Sequence, residues 1–250
     1  MKRVKTGVSG LDELIGGGIP EKSVVLVSGG AGTGKTILSL QFLASGAAKG
    51  EKGAYFTFEE RDEKIREQAM QFDWRFAELE KQKKLVIKSV NKRTLSEIMR
   101  EINAVTNEFK PKRIVLDSMT TLSLYAHTLT NVTDVTAVQD EEAIYGAHGL
   151  TSLPPETDGL IVRRILITLV KMLQAQRITA LVTSELGENS QWFSRDTLSE
   201  FACDGLLVLR ATSLGKELHR TIEVRKMRNT PIKGGVHNIA FTRKGIVVET

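Results

Sequence analysis

The feature that most constrains this chain is a glycine-rich segment of eight residues at positions 29–36. Its sequence, GGAGTGKT, satisfies the pattern G-x-x-x-x-G-K-[ST] without a mismatch. The apolar run at residues 24–27 precedes it and predicts a buried strand, while residues 37–43 follow it with the apolar spacing of a helix. A phosphate-binding loop has this order of strand, loop and helix. We therefore expect the chain to bind a nucleoside triphosphate.

The chemistry of such a loop gives each residue type a task. Glycines let the backbone fold around phosphate oxygens with several N–H groups pointing inward, at the positive end of the helix dipole. Lys35 would reach the β- and γ-phosphates, and the Thr36 hydroxyl would bind Mg²⁺. A glycine-rich turn with a surface lysine is the alternative interpretation. The expected nucleotide-binding residues are Gly29, Gly30, Ala31, Gly32, Thr33, Gly34, Lys35 and Thr36.

Apolar runs alternate with helical patterns along the chain. This alternation predicts an α/β fold with a mainly parallel central sheet and helices on both faces. Strands are predicted at residues 24–28, 54–58, 85–88, 113–117, 179–183 and 205–210, and helices at 34–49, 62–72, 94–109 and 161–175. Further strands near 220–225, 237–240 and 246–249 predict an antiparallel C-terminal extension.

The size and the charge distribution of the chain favour one domain with an inserted segment. A chain of 250 residues with 41% hydrophobic content fits a single α/β domain over residues 1–250. Residues 119–161 contain six acidic residues and no lysine or arginine, whereas residues 210–244 contain nine lysines and arginines and two glutamates. Within the acidic part, residues 124–159 form a long insertion loop, which we expect to be a mobile flap.

Three features of the composition favour a cytoplasmic protein. Cys203 is the single cysteine, which excludes an internal disulfide and a thiolate metal cluster. The chain opens on residues 1–3 (MKR) without a secretory leader. Its most apolar helical stretch, 160–173, is short and interrupted by charged residues, so no membrane segment is expected.

Acidic residues follow two of the predicted strands. Asp117 ends the apolar run that begins at residue 113 and is suited to hold Mg²⁺ through its hydration shell. Glu59 and Glu60 follow another strand, and a carboxylate there could orient or deprotonate an attacking water. The spacing alone also fits a cap at Asp117 and an acidic first helical turn at the two glutamates.

Six motifs follow one another in a fixed order along the chain. They are KTGVSGLDEL at residues 5–14, GGGIP at 16–20, the loop at 29–36, TFEE at 57–60, IVLDS at 114–118 and RTIEVRKMR at 220–228. These ordered motifs resemble those of the KaiC-like branch of the RecA/RadA ATPase superfamily. The resemblance covers nearly the whole chain apart from residues 124–159. It implies a RecA-like P-loop domain that binds ATP and Mg²⁺ and hydrolyses ATP slowly.

The resemblance also implies roles for catalytic residues. It implies that Glu59 and Glu60 act on the hydrolytic water, and that Lys35 contacts the phosphates. It implies further that Lys226 and Arg228 reach the γ-phosphate bound by a neighbouring subunit, where a second cation would stabilise the transition state. A solvated basic strand is the alternative for these two residues.

Action across subunits implies a homo-oligomer, for which a hexameric ring is favoured over a filament. Thr183 and Ser184, at the end of another predicted strand, are candidate sensors of the γ-phosphate. Clock-type KaiC carries two copies of this domain, and this chain carries one. The resemblance therefore does not imply a circadian role.

RecA-type proteins bind single-stranded DNA with loops that follow two of their strands. The first of these loops corresponds to the acidic segment, which would repel a phosphate backbone. The second contains Trp192, Phe193 and Arg195, which could stack on bases and bind phosphate, or pack at a subunit interface. Three functions stay open: an ATPase that regulates an assembly or partner, a RadA paralog in recombinational DNA repair, and a non-catalytic scaffold that depends on nucleotide.

Overall fold

The computed structural model describes residues 1–90, 95–122, 167–186, 202–215 and 217–249. The predicted flap at 124–159 lies outside these residues and stays a prediction. The helices are α1 (Leu11–Leu14), α2 (Lys35–Ala47), α3 (Asp62–Met70), α4 (Phe76–Lys81) and α5 (Leu95–Phe109), and residues 119–122 and 167–175 are also helical. The strands are β1 (Arg3–Val4), β2 (Ile19–Pro20), β3 (Val24–Gly29), β4 (Gly53–Thr57), β5 (Leu85–Ser89), β6 (Arg113–Asp117), β7 (Thr179–Glu185), β8 (Gly205–Leu214), β9 (Glu217–Met227), β10 (Val236–Thr242) and β11 (Gly245–Val248).

Nine of these strands form one sheet in the order β11-β10-β9-β8-β3-β7-β6-β4-β5. The strands from β8 to β5 in this order run parallel to one another. The strands β9, β10 and β11 extend the sheet with antiparallel pairing. The mainly parallel sheet and its antiparallel C-terminal extension are confirmed. A separate antiparallel pair joins β1 and β2.

Helices cover both faces of the sheet because its inner strands are apolar on both sides. Successive side chains of a strand point to opposite faces. Val25 and Val27 of β3 pack in one apolar cluster with α2 and α3, whereas Val24 and Leu26 pack in another with α5 and the helical residues 167–175. The predicted placement of helices on both faces is therefore confirmed. No helix in the described parts of the chain combines the length and apolar character needed to cross a membrane.

Several short elements were not predicted from the sequence. They are α1, α4 and the pair of β1 and β2. Helix α4 begins next to a cluster in which the Trp74 ring stacks on Phe72 and Phe76, with centroids 4.7 and 6.1 Å apart. Burial of these rings stabilises a helix of six residues, which is too short to show a helical period in the sequence.

The strand register brings the ends of four strands to one edge of the sheet. Gly29 of β3 is level with Glu185 of β7, and Thr57 of β4 is level with Asp117 of β6. Because these strands are parallel, their carboxyl ends meet at the edge where open α/β sheets bind ligands. The glycine-rich loop and the candidate acids therefore lie at the same edge.

Candidate nucleotide-binding site

The glycine-rich loop leads from the end of β3 into the first turn of α2. Gly32 and Gly34 have φ angles of 69° and 105°, in the left-handed region that favours glycine. A Cβ atom on Gly34 would lie 2.7 Å from Cζ of Phe241, so this position also lacks room for a side chain. The Thr33 hydroxyl closes the turn by donating a hydrogen bond to the Gly30 carbonyl at 2.9 Å.

The Lys35 side chain folds back over this loop. Its Nζ donates hydrogen bonds to the carbonyls of Gly29 and Gly30, each at 2.9 Å. Burial lowers the pKa of Lys35, and the carboxylates of Glu185, Asp117 and Glu59 partly oppose that shift. The Lys35 ammonium therefore lies against the loop, where three nearby carboxylates favour its charged form.

Asp117 is the centre of a hydroxyl network next to the loop. Its Oδ2 accepts hydrogen bonds from Thr36 Oγ1 at 3.1 Å and from the Tyr55 hydroxyl. Its Oδ1 accepts one from Thr183 Oγ1 at 2.5 Å. The structure therefore brings together three predicted site residues, Thr36, Asp117 and Thr183.

The two adjacent glutamates make different contacts. Glu59 Oε1 accepts hydrogen bonds from the hydroxyls of Ser118 and Thr121, and Ser118 directly follows Asp117 in the chain. Glu60 Oε2 instead accepts a hydrogen bond from Gln68 Nε2 of α3 at 3.0 Å. Glu59 thus belongs to the cluster around the loop, whereas Glu60 is tied to a helix.

The side chains of Thr183 and Ser184 also make different contacts. Both are fully buried, but the Ser184 hydroxyl lies 3.4 Å from Thr120 Oγ1 rather than at Asp117. Neighbouring residues of a strand point to opposite faces of the sheet, so only one of the two can face the loop. Of the two candidate sensors, Thr183 is the one in the Asp117 network.

Lys226 and Arg228 lie at the end of the sheet where β3 and β8 begin, whereas the loop follows the other end of β3. Lys226 is level with Leu206 at the beginning of β8, and Arg228 N donates to the Asp204 carbonyl at 2.8 Å. The beginning of β8 is level with Val25, four residues before Gly29 in β3, which corresponds to about 13 Å along a strand.

The side chains of Lys226 and Arg228 also form hydrogen bonds at this end of the sheet. Lys226 Nζ donates to the Cys203 carbonyl at 2.7 Å, and Arg228 donates to the Asp204 carboxylate at 3.0 Å.

Sequence reasoning missed several residues of this region. Arg220 Nε donates to the Gly32 carbonyl at 3.0 Å, and its guanidinium lies 4.5 Å from the centroid of the Phe241 ring. Sequence reasoning also missed three residues that donate hydrogen bonds to the candidate acids. Tyr55 donates to Asp117, and Ser118 and Thr121 donate to Glu59. The tyrosine stands within an apolar strand pattern, and burial raises its pKa, with Asp117 adding to the shift. The only available signal was the position of Ser118 and Arg220 inside recognised motifs.

Trp192, Phe193 and Arg195 lie outside the described residues. Their contact with DNA or with another subunit stays a prediction.

The sequence matches the family profile described as ATPase: KaiC over residues 4–135 and 150–250. The gap between the two matched spans falls within the acidic insertion at 124–159. Nearly all of the described residues, including every one in the cluster around the loop, are inside the matched spans.

Individual relatives agree with this match. A UPF0273 protein of Thermotoga maritima is 31% identical over an alignment that covers 99% of this chain and 96% of the relative. The circadian clock oscillator protein KaiC of Prochlorococcus marinus is 29% identical, and the chain covers 46% of that protein. The crystal structure of a KaiC-like protein from Pyrococcus horikoshii superposes with a TM-score of 0.79 at 32% identity, and covers 100% of this chain and 99% of the other. The chain therefore belongs to the KaiC-like branch of the RecA superfamily, a family of nucleotide-binding ATPases with a RecA-like α/β fold.

Proposed function

We propose that this chain binds and hydrolyses Mg²⁺-ATP at the glycine-rich loop, as one domain that acts within a homo-oligomer. One observation carries the proposal: Lys35 and Thr36, Asp117, and Glu59 come from three different segments and gather at one edge of the sheet. These groups would supply a cation for the phosphates, oxygen groups that hold a metal ion and a base for water.

Phosphate binding follows from the geometry of the loop and α2. The N-terminal end of α2 provides N–H groups and the positive end of a helix dipole. The Lys35 ammonium now bonds to two carbonyls of the loop, and phosphate oxygens would offer it stronger, charge-assisted partners.

Thr36 in the first turn of α2 and Asp117 at the end of β6 fit a magnesium ion. Thr36 offers a hydroxyl oxygen, a hard donor of the kind that Mg²⁺ prefers, and the Asp117 carboxylate can accept hydrogen bonds from the waters that Mg²⁺ keeps. When bound, Mg²⁺ would neutralise charge on the β- and γ-phosphates. Asp117 and Thr36 would hold and orient it.

Glu59 is the proposed base for the attacking water. Its carboxylate is oriented by Ser118 and Thr121, which follow the metal-binding position in the chain. Glu60 would have a supporting role, because its carboxylate holds Gln68 in α3. Of the two glutamates implied by the family resemblance, Glu59 is therefore the stronger catalytic candidate.

The position of Lys226 and Arg228 supports completion of the site across subunits. These residues lie about 13 Å along the strands from the loop of their own chain. We infer that they contact the nucleotide bound to a neighbouring subunit, and a hexameric ring is the assembly that the family resemblance favours. A cation placed there would stabilise charge that develops on the γ-phosphate.

The direct test is phosphate release from ATP by wild type and by Lys35→Ala, with and without Mg²⁺. We expect slow turnover by wild type that needs Mg²⁺ and is lost in the variant. Nucleotide binding without any turnover would contradict hydrolysis and support the alternative of a nucleotide-dependent scaffold.

A further inference from the structure

Asp117 accepts three hydrogen bonds from hydroxyl groups. Thr36 and Tyr55 donate to Oδ2, and Thr183 donates to Oδ1. An ionised carboxylate has about four lone-pair sites that can accept hydrogen bonds. Among the described residues, three of these sites are therefore occupied, which leaves one for a further donor.

Tyr55 differs from the other two donors in where it lies. It belongs to β4, is level with Val115 of β6, and is fully buried within the sheet. Thr36 lies in the first turn of α2, where a nucleotide would bind. Because Tyr55 has no exposed surface, it can act on a ligand only through the groups that it contacts. A buried tyrosine hydroxyl also needs a partner, and Asp117 supplies it.

We propose that Tyr55 is a positioning residue, which holds Asp117 so that its carboxylate accepts a hydrogen bond from one water of a hydrated Mg²⁺ ion. The inference rests on the proposed function. Mg²⁺ keeps several of its waters in proteins, so a carboxylate with one remaining acceptor site fits a contact through water. Thr36 is compatible with both tasks, because its hydroxyl can donate to Asp117 and still offer lone pairs to the metal.

The test is Tyr55→Phe, which removes the hydroxyl and keeps the ring. Calorimetry would measure binding of a non-hydrolysable ATP analogue over a range of Mg²⁺ concentrations and in EDTA. We expect the apparent affinity for Mg²⁺ to fall about 10- to 100-fold, the usual effect of losing an outer-shell partner of a metal site. Binding in EDTA should be unchanged, because Lys35 and the loop amides provide that part of the affinity.

Thr106→Val is the matched control. The Thr106 hydroxyl is buried in α5, with 5% of the residue exposed, and donates to the carbonyls of Ile102 and Asn103. This variant therefore also loses a buried hydroxyl, but one that does not bond to Asp117. We expect it to keep the Mg²⁺ dependence of wild type.

Each outcome separates the inference from the proposed function. Equal Mg²⁺ dependence in all three proteins, or an equal loss in both variants, would overturn the role of Tyr55. Absence of Mg²⁺-dependent binding by wild type would overturn the proposed function itself. If Tyr55→Phe does not fold, wild type with Mn²⁺ and ¹³C-labelled aspartate carboxylates provides a second test. A weak hyperfine coupling fits contact through water, and a strong coupling from a direct ligand would overturn the inference.

Discussion

Arg228 donates a hydrogen bond to Asp204 at 3.0 Å, at the edge of the sheet that faces away from the phosphate loop of the same chain. Asp204 is itself fixed, because its carboxylate also accepts from Val24 N at 3.0 Å and from Gln174 Nε2 at 2.9 Å. The guanidinium is thus held beside the beginning of β3, while the loop follows the end of that strand. With 52% of its side chain exposed, Arg228 is available to a neighbouring subunit.

This relationship predicts complementation between two inactive variants. Lys35→Ala removes the loop cation, and Arg228→Ala removes the cation proposed to act on the neighbour. Loss of such an arginine lowers turnover by about 10³-fold or more, so each variant alone should be nearly inactive. After mixing and reassembly, phosphate release should return, with about a quarter of the sites intact at equal amounts in a ring of head-to-tail contacts.

Arg225→Ala is the control for this experiment. Arg225 lies on β9, three residues before Arg228, pairs with Glu223 at 2.8 Å, and has 44% of its side chain exposed. Turnover by this variant should resemble that of wild type. A mixture of Lys35→Ala and Arg228→Ala that exchanges subunits but stays inactive would contradict action in trans.

The different contacts of the two glutamates predict different losses on substitution. Glu59→Gln should lower the rate of phosphate release by about 10²-fold or more, the contribution of a positioned base. Glu60→Gln should lower this rate much less, because the amide oxygen of the new side chain can still accept the hydrogen bond from Gln68. Nucleotide affinity, measured by calorimetry, should be retained in both. A larger loss of turnover in Glu60→Gln than in Glu59→Gln would reverse our assignment of the base.

Arg113 is predicted to stabilise the folded domain that carries the site. Only 1% of it is exposed, and its guanidinium donates to Glu51 at 2.6 Å and to the carbonyls of Lys5 and Phe42 at 2.8 and 2.7 Å. Burial lowers its pKa, and Glu51 opposes that shift. Arg113→Leu would leave buried carbonyls without a partner and should lower the free energy of unfolding by about 3 kcal/mol.

Urea unfolding of wild type and Arg113→Leu measures this change. Arg75→Ala is the control, since 75% of the Arg75 side chain is exposed, and its stability should stay within about 0.5 kcal/mol of wild type. An Arg113→Leu protein as stable as wild type would show that the buried guanidinium network does not stabilise the fold.

The distribution of charge predicts weak binding to single-stranded DNA. Residues 119–161 carry six acidic residues and no lysine or arginine, which disfavours a phosphate backbone. Fluorescence anisotropy with a labelled oligonucleotide at two salt concentrations should therefore show no submicromolar affinity. Submicromolar binding that weakens steeply with salt, and that is lost in Trp192→Ala, would instead support a RadA paralog in DNA repair.

The sheet could be predicted because its inner strands are continuous apolar runs. The glycine pattern identified the loop, and parallel strands bring their carboxyl ends to one edge, so the proximity of Thr36 and Asp117 followed from topology. The pattern of β4 could not show that Tyr55 bonds to Asp117, because an aromatic residue in a strand is usually read as core.

The different contacts that adjacent residues make could not be predicted from the sequence either. Glu59 and Glu60 are chemically alike, and only the positions of Ser118 and Gln68 separate their contacts. The side-chain alternation of a strand separates Thr183 from Ser184, but the sequence does not tell which of them faces the loop. Such distinctions depend on contacts with residues that are remote in the chain.

The most direct measurement for the central claim is calorimetric titration of Mg²⁺-ATP into wild type and Lys35→Ala, together with thermal unfolding. We expect wild type to bind and to be stabilised, by about 2.7 kcal/mol when the ligand is at 100 times its dissociation constant, whereas Lys35→Ala should show neither effect. Absence of both heat and stabilisation for wild type at millimolar Mg²⁺-ATP would contradict the account.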